Sequence, residues 1–175
     1  MKLRFLSLVG MILALTFSVH AQGFPYHEFT PRTLKQLVEI NEKEDTGEVR
    51  DEKGQIAKNQ AVMRGKILSS VVRVTYTEQT RTIAKERQEF LKIWGEIYAG
   101  QKNYQQLYES EMLFKEGADE YWLPVQKPVM PYFGKELHKG DTVDLYIIRP
   151  GGIKKADKSW DWLFLVEEFQ KPKEN

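Results

Sequence analysis

The stretch Trp160-Asp-Trp-Leu-Phe-Leu-Val-Glu-Glu-Phe-Gln170 does most to limit what this chain can fold into. Read at period two, Trp160, Trp162, Phe164 and Val166 share one face, while Leu163 and Leu165 lie on the other. A strand that is apolar on both faces has to be covered on both, so a sheet with one wet face does not accommodate it. The segment before it alternates as well. Val143, Leu145 and Ile147 face one way, and Asp144 and Tyr146 face the other. The two segments are expected to pair antiparallel, with Arg149-Pro-Gly-Gly152 opening a glycine-rich loop between them.

Upstream, Glu111 to Gln126 reads as two strands joined by a tight turn at Glu116-Gly-Ala-Asp119. Pro128 and Pro131 bracket the entry to a short helix carrying Tyr132, Phe133 and Leu137, which closes one end of the sheet, and Lys139-Gly140-Asp141 turns the chain onward. The run from Val62 to Thr77, with Val72, Val74 and Tyr76 alternating, predicts one long strand bent near Gly65 or Ser69-Ser70. After Thr80 the period changes. Ile83, Arg87, Phe90, Leu91, Trp94, Ile97 and Tyr98 fall at helical spacing and predict a helix that ends at Gly100.

Counted from Val62, the order is strand, inserted helix, strand, strand, helix, strand, strand. Over roughly Lys66 to Gln170, with the inserted helix set aside, this order resembles the five-stranded oligonucleotide/oligosaccharide-binding (OB) barrel, in which a helix lies between the third and fourth strands. An SH3-like barrel also fits Leu137-His-Lys-Gly-Asp-Thr-Val-Asp-Leu-Tyr146. The fold class expected is therefore α+β, mainly β: a small OB-like, alternatively SH3-like, barrel with an inserted helix and an N-terminal helical extension. Tyr121-Trp-Leu-Pro-Val-Gln126 and the Trp162–Gln170 stretch are similar to segments of small uncharacterised exported bacterial proteins, a likeness that implies no function.

The first residues are laid out as a secretory signal: basic Lys2 and Arg4, an apolar run from Phe5 to Phe17, and small residues at Val19 and Ala21. The apolar run is shorter than the roughly 20 residues of a spanning helix, so cleavage after Ala21, and a periplasmic or secreted product with no integral membrane segment, is expected. With no cysteine, the exported domain must stand on its core alone. We divide the chain into a signal peptide (1–21), an N-terminal extension (22–61), a barrel-like domain (62–170) and a polar tail (171–175). Within the extension, Thr30-Pro31 is read as the start of a short helix to about Glu42, with Leu34, Leu37, Val38 and Asn41 at helical spacing. The charged stretch from Asn41 to Gln60, poor in apolar residues, reads as a mobile linker. The 26 basic and 25 acidic residues nearly cancel, and loss of Lys2 and Arg4 leaves 24 basic against 25 acidic. That balance gives no electrostatic ground for nucleic acid as a partner.

No reactive constellation is legible in the sequence. His27 and His138 stand apart, an ordinary zinc set lacks ligands, and neither 141–144 nor 157–161 carries a calcium-loop pattern. Ser69, Ser70, Ser110 and Ser159 have no nucleophile-elbow context. No catalytic residue, metal or cofactor is assigned. The aromatics are more informative, because barrel surfaces that bind sugars or extended chains use aromatic platforms. Trp122, Tyr146 and Trp160, with Gly151 and Gly152 as a flexible edge, are the candidate binding residues, and Trp162, Phe164 and Trp94 are read as core. The function expected is an exported non-catalytic binding or accessory module for a protein, peptide or glycan. The alternative is a small hydrolase using paired carboxylates drawn from Glu111, Glu120 and Glu167.

Overall fold

The computed structural model describes residues 23–44, 61–63, 68–155 and 157–172. The expected signal peptide (1–21) and almost all of the charged stretch read as a linker lie outside the described residues. In chain order the elements are β1 (Thr30–Pro31), α1 (Leu34–Glu44), β2 (Ala61–Met63), β3 (Ser70–Thr82), α2 (Lys85–Trp94), β4 (Ser110–Glu116), β5 (Asp119–Val125), α3 (Met130–Glu136), β6 (Thr142–Lys154) and β7 (Trp160–Gln170).

Five of these strands close on themselves in the order β3-β4-β5-β7-β6-β3. Closure depends on the length of β3. Its first half, Ser70 to Thr75, pairs with β6, and its second half, Thr75 to Thr82, pairs with β4. Between Tyr76 and Thr80 the register shifts, and Glu78 takes a positive φ there, so the strand bends from one partner to the other. The remaining barrel pairs are antiparallel except β5 with β7, which is parallel. With α3 between the third and fourth barrel strands, the barrel is OB-like, as the element order suggested. The expected antiparallel pairing of the last two strands is present, from Asp144↔Gln170 to Lys154↔Trp160.

The double-sided apolar strand accounts for two cores. Inside the barrel, Trp162, Phe164 and Val166 meet Val143, Leu145 and Ile147, along with Val72, Val74, Phe114 and Leu123. On the outer face, Leu163 and Leu165 meet Ile148 and a cover made of Phe90, Leu91 and Trp94 from α2 with Tyr104 and Tyr108 beyond it. Phe133 of α3 closes one end of the interior, its ring centroid 4.1 Å from that of Phe169 and 5.7 Å from those of Tyr76 and Phe114. Leu34 and Leu37 of α1 join the same interior cluster, so the N-terminal helix is packed on the barrel.

Local chemistry moves several expected boundaries. The helix does not begin at Pro31, which lies in β1 beside Val71. Thr33 and Gln36 form a capping box instead, the Gln36 N–H donating to Thr33 Oγ1 at 3.0 Å and the Thr33 N–H to Gln36 Oε1 at 2.9 Å. Glu116, at the end of β4, accepts from the Leu34 and Lys35 amides, which ties the helix start to the barrel and suits the positive end of the helix. The single strand expected from Val62 to Thr77 is two: β2 pairs with β6 on the far side from β7, and β3 starts only at Ser70. The inserted helix is α-helical to Trp94 and widens into a π turn over Gly95–Ala99 before left-handed Gly100. A Cβ on Gly95 would sit 2.1 Å from Tyr104 Cβ, so glycine there lets the Tyr104 turn close against the helix.

Candidate functional site

The opening in the barrel has a cause in the sequence. The β5–β7 pairing is a single bridge, Val125↔Val166, completed by the Gln126 N–H donating to the Val166 carbonyl at 3.1 Å. Extended one step toward the strand starts, a parallel ladder would need the N–H of residue 124 to reach the carbonyl of Phe164. Residue 124 is proline and has no N–H. The next acceptor along, the Trp122 carbonyl, is taken by Arg87 Nη1 at 3.0 Å. From there β5 and β7 part, leaving between them a cleft of about 390 Å3.

Arg87 reaches this seam from α2. It donates to both carboxylate oxygens of Asp161 on β7, at 2.9 and 2.5 Å, and to Glu111 on β4. Glu111 is fully buried and also accepts from Arg81 Nε at 2.7 Å. Burial works against the Arg87 charge, yet the hydrogen bonds and charge of Asp161, and those of Glu111, hold its pKa above the ordinary guanidinium value. One guanidinium thus ties three strands across the break. Its signal in the sequence was an arginine at a core-facing position of an amphipathic helix, which calls for buried acids.

Both faces of the wall beside the seam carry tryptophan. On the outer face, the Arg81 guanidinium lies 4.2 Å from the Trp122 ring centroid. On the inner face, Trp160 stacks on Trp162 at 4.7 Å with planes 17° apart, and Lys154 Nζ is 5.4 Å from the Trp160 ring. Phe164, Leu123 and Val38 of α1 also line the cleft, and Lys155 stands at its rim. A second cavity, about 540 Å3, shares Arg81, Arg87, Lys155 and Asp161 and continues between α2 and β2, where Phe90, Ile93, Met63 and Ile153 line it.

The structure therefore brings Trp122 and Trp160 together on either side of one seam. Tyr146 is elsewhere: it lies on the outer face of β6, edge-on to Phe24, Tyr26 and Phe29 at centroid distances of 5.6, 4.8 and 5.3 Å, with its hydroxyl on Gln170. Gly151 and Gly152 form no loop. Both are buried within β6, pairing Met63 and Val62 on one side and Leu163 and Trp162 on the other. A Cβ at Gly151 would lie 1.9 Å from the Val62 carbonyl oxygen, at φ +136°, and one at Gly152 would strike the Trp162 ring. The glycines are there for close approach of β2 and of an indole, which the Pro150-Gly-Gly152 pattern concealed by imitating a turn. Arg149 beside them is buried too, held by Asn41 at 2.6 Å and Glu44 at 3.0 Å.

The three carboxylates considered for hydrolysis do not meet. Glu111 is saturated by two arginines, Glu120 pairs with Lys115 on the surface at 2.9 Å, and Glu167 faces Tyr108 and Gln126 on the other side of the Val125↔Val166 bridge. Burial raises the Glu167 pKa to about 7, opposed in part by the hydrogen bond from Tyr108, whose own pKa burial drives well above that of a free phenol. Burial likewise lifts neighbouring Tyr104 to about 12. A folded-state pKa above the unfolded value means that the native state holds the extra proton between the two. Stability is then full below about pH 4.5 and declines as pH rises through 7. Denaturation at pH 5 and pH 8 should differ by on the order of 1–3 kcal/mol, and Glu167→Gln should remove that difference. A pH difference unchanged by the substitution would contradict this reading.

Among the described residues no three His, Cys, Asp or Glu side chains gather as a metal set, and no helix is long and apolar enough to cross a membrane. No known protein family, curated protein or solved structure matches this chain.

Proposed function

We propose that this protein is an exported, non-catalytic binding module, and that its partner, a peptide, a protein segment or a glycan, enters the cleft where β5 and β7 part. One observation carries the reading: a break in a closed barrel, lined by apolar floor residues, is flanked on both faces by tryptophans that lie beside cations. Such a site offers area, aromatic faces and charge with little side-chain freedom to lose on binding. Its place in the fold supports the reading by analogy. The cleft lies between the insertion after the first barrel strand and the connection between the last two, the region through which OB-like barrels take extended polymers. The carboxylates that a hydrolase would need are apart, and of those that line the cleft Asp161 is held by Arg87 and Glu120 by Lys115.

The full mature chain, displayed against arrays of peptides and of neutral and acidic glycans, is expected to retain ligands. Lys155→Glu, at an exposed rim position, should lose them without changing the unfolding midpoint. Arrays that retain nothing, or retain the same ligands with Lys155→Glu, would overturn the proposal. Export has its own check. The intact mass of protein recovered from the periplasm or medium should correspond to a chain starting at Gln22, and a mass that still includes 1–21 would refute it.

A further inference from the structure

The cleft has a main-chain character that narrows the ligand class, and this inference rests on the binding reading above. In a strand, the N–H and C=O of alternate residues point to the same edge. The Val166 carbonyl points toward β5, so the main-chain groups of Phe164 and Trp162 point the same way, into the seam. The register shift opposite this segment puts its extra residue on β6, which advances three positions from Ile148 to Gly151 while β7 advances two from Leu165 to Leu163, and the pairing is regular over 160–163, so the alternation along β7 is kept. The Trp122 carbonyl faces the seam from the other side, where it accepts from Arg87 Nη1. Two strand edges thus confront each other with no bridge between them beyond Val125↔Val166. A side-chain donor is idle there as well: Trp162 Nε1 is buried and has no hydrogen-bond partner. The Cε3–Cζ3 edge of that indole faces Gly152 on β6, so the opposite edge, bearing Nε1, is turned away from β6. A buried indole N–H without an acceptor is costly, and a ligand carbonyl would satisfy it.

We propose that the seam takes an extended peptide as an added strand between β5 and β7, one in which apolar and acidic residues alternate. The alternation follows from period two. Side chains of an inserted strand that point inward meet Trp162, Phe164 and Leu123, and those that point outward meet Arg81 and Lys155; of the carboxylates that also line the cleft, Asp161 is held by Arg87, Glu120 by Lys115, and Glu42 stands on α1. Main-chain pairing supplies the affinity and the two walls supply the selectivity.

The test uses titration calorimetry of the full mature chain with the hexapeptide acetyl-Val-Glu-Val-Glu-Val-Glu-amide. Binding is expected, weakened at least about tenfold by N-methylation of alternate amides, which removes main-chain donors, and by replacing each Glu with Lys. Trp162→Phe, which keeps a ring and deletes the N–H, should weaken binding about five- to tenfold. Lys155→Glu, at an exposed position, gives a second reading in a chain whose fold is not at issue. Equal affinity for the N-methylated or the Lys peptide would overturn the inserted strand. Binding of oligogalacturonate in a Lys155-dependent way, with no binding of the peptide, would overturn it while leaving the binding module in place. Failure of every ligand would overturn both.

Discussion

Arg87→Met is expected to lower the stability of the folded chain by about 3–5 kcal/mol, the usual effect of removing one partner from a buried ion pair. The reason lies in what remains. Glu111 is fully buried, and without Arg87 it keeps only the Arg81 contact, while Asp161 and the Trp122 carbonyl lose their donor at the place where the strands are not joined. Equilibrium urea unfolding measures the loss, and a second change separates charge from packing. Arg87→Met combined with Glu111→Leu should recover a large part of the stability, because the stranded carboxylate is gone. If Arg87→Met unfolds at the wild-type midpoint, the guanidinium is not what ties the seam.

Phe164→Ala should cost about 3–5 kcal/mol through lost transfer energy and the cavity left behind. Phe164 is 2 % exposed and lies inside the barrel with Leu123, Leu145 and Val166, where the five strands leave little room for collapse. Leu163 and Leu165, its sequence neighbours, belong to the other core under α2. A Leu163→Ala chain should therefore weaken the α2 cover, and the two losses should be close to additive because they strike separate clusters. A Phe164→Ala chain that melts with the wild type would place this residue outside the core.

The parts of the fold that follow from periodicity were legible. Val143, Leu145 and Ile147 against Tyr146, and Trp162, Phe164 and Val166 against Leu163 and Leu165, separate in the structure along the faces that alternation assigns. The Gly117-Ala118 turn and the α3 position also follow from local chemistry, glycine at positive φ in one case and prolines near the helix start in the other. What was not legible depends on contacts far apart in sequence. Gly151 and Gly152 carry the signature of a turn, yet they are made necessary by β2 and by Trp162. Tyr146 looked like a platform because nothing in its own segment shows that Phe24, Tyr26 and Phe29 would cover it.

The candidate site was half legible for the same reason. Trp122 and Trp160 stood out by type and by their places on the strands, but the break they flank comes from Pro124 falling where β7 needs a donor, a fact of register rather than of composition. Arg87 was visible as a cation at a helix-core position, and its acids, Glu111 and Asp161, lie 24 and 74 residues away.

The central claim is that β5 and β7 part beyond Val125↔Val166 and leave the β7 edge at Trp162 and Phe164 without a partner strand. Amide hydrogen exchange, resolved by residue in the free protein, tests it most directly. The Leu163 and Leu165 amides, which alternate toward β6, should be strongly protected, while the Trp162 and Phe164 amides, which face the seam, should exchange faster by about a hundredfold or more, as expected of groups outside the ladder. Equal protection of all four amides would mean that the ladder runs on past the proline, and the cleft would then be no binding edge.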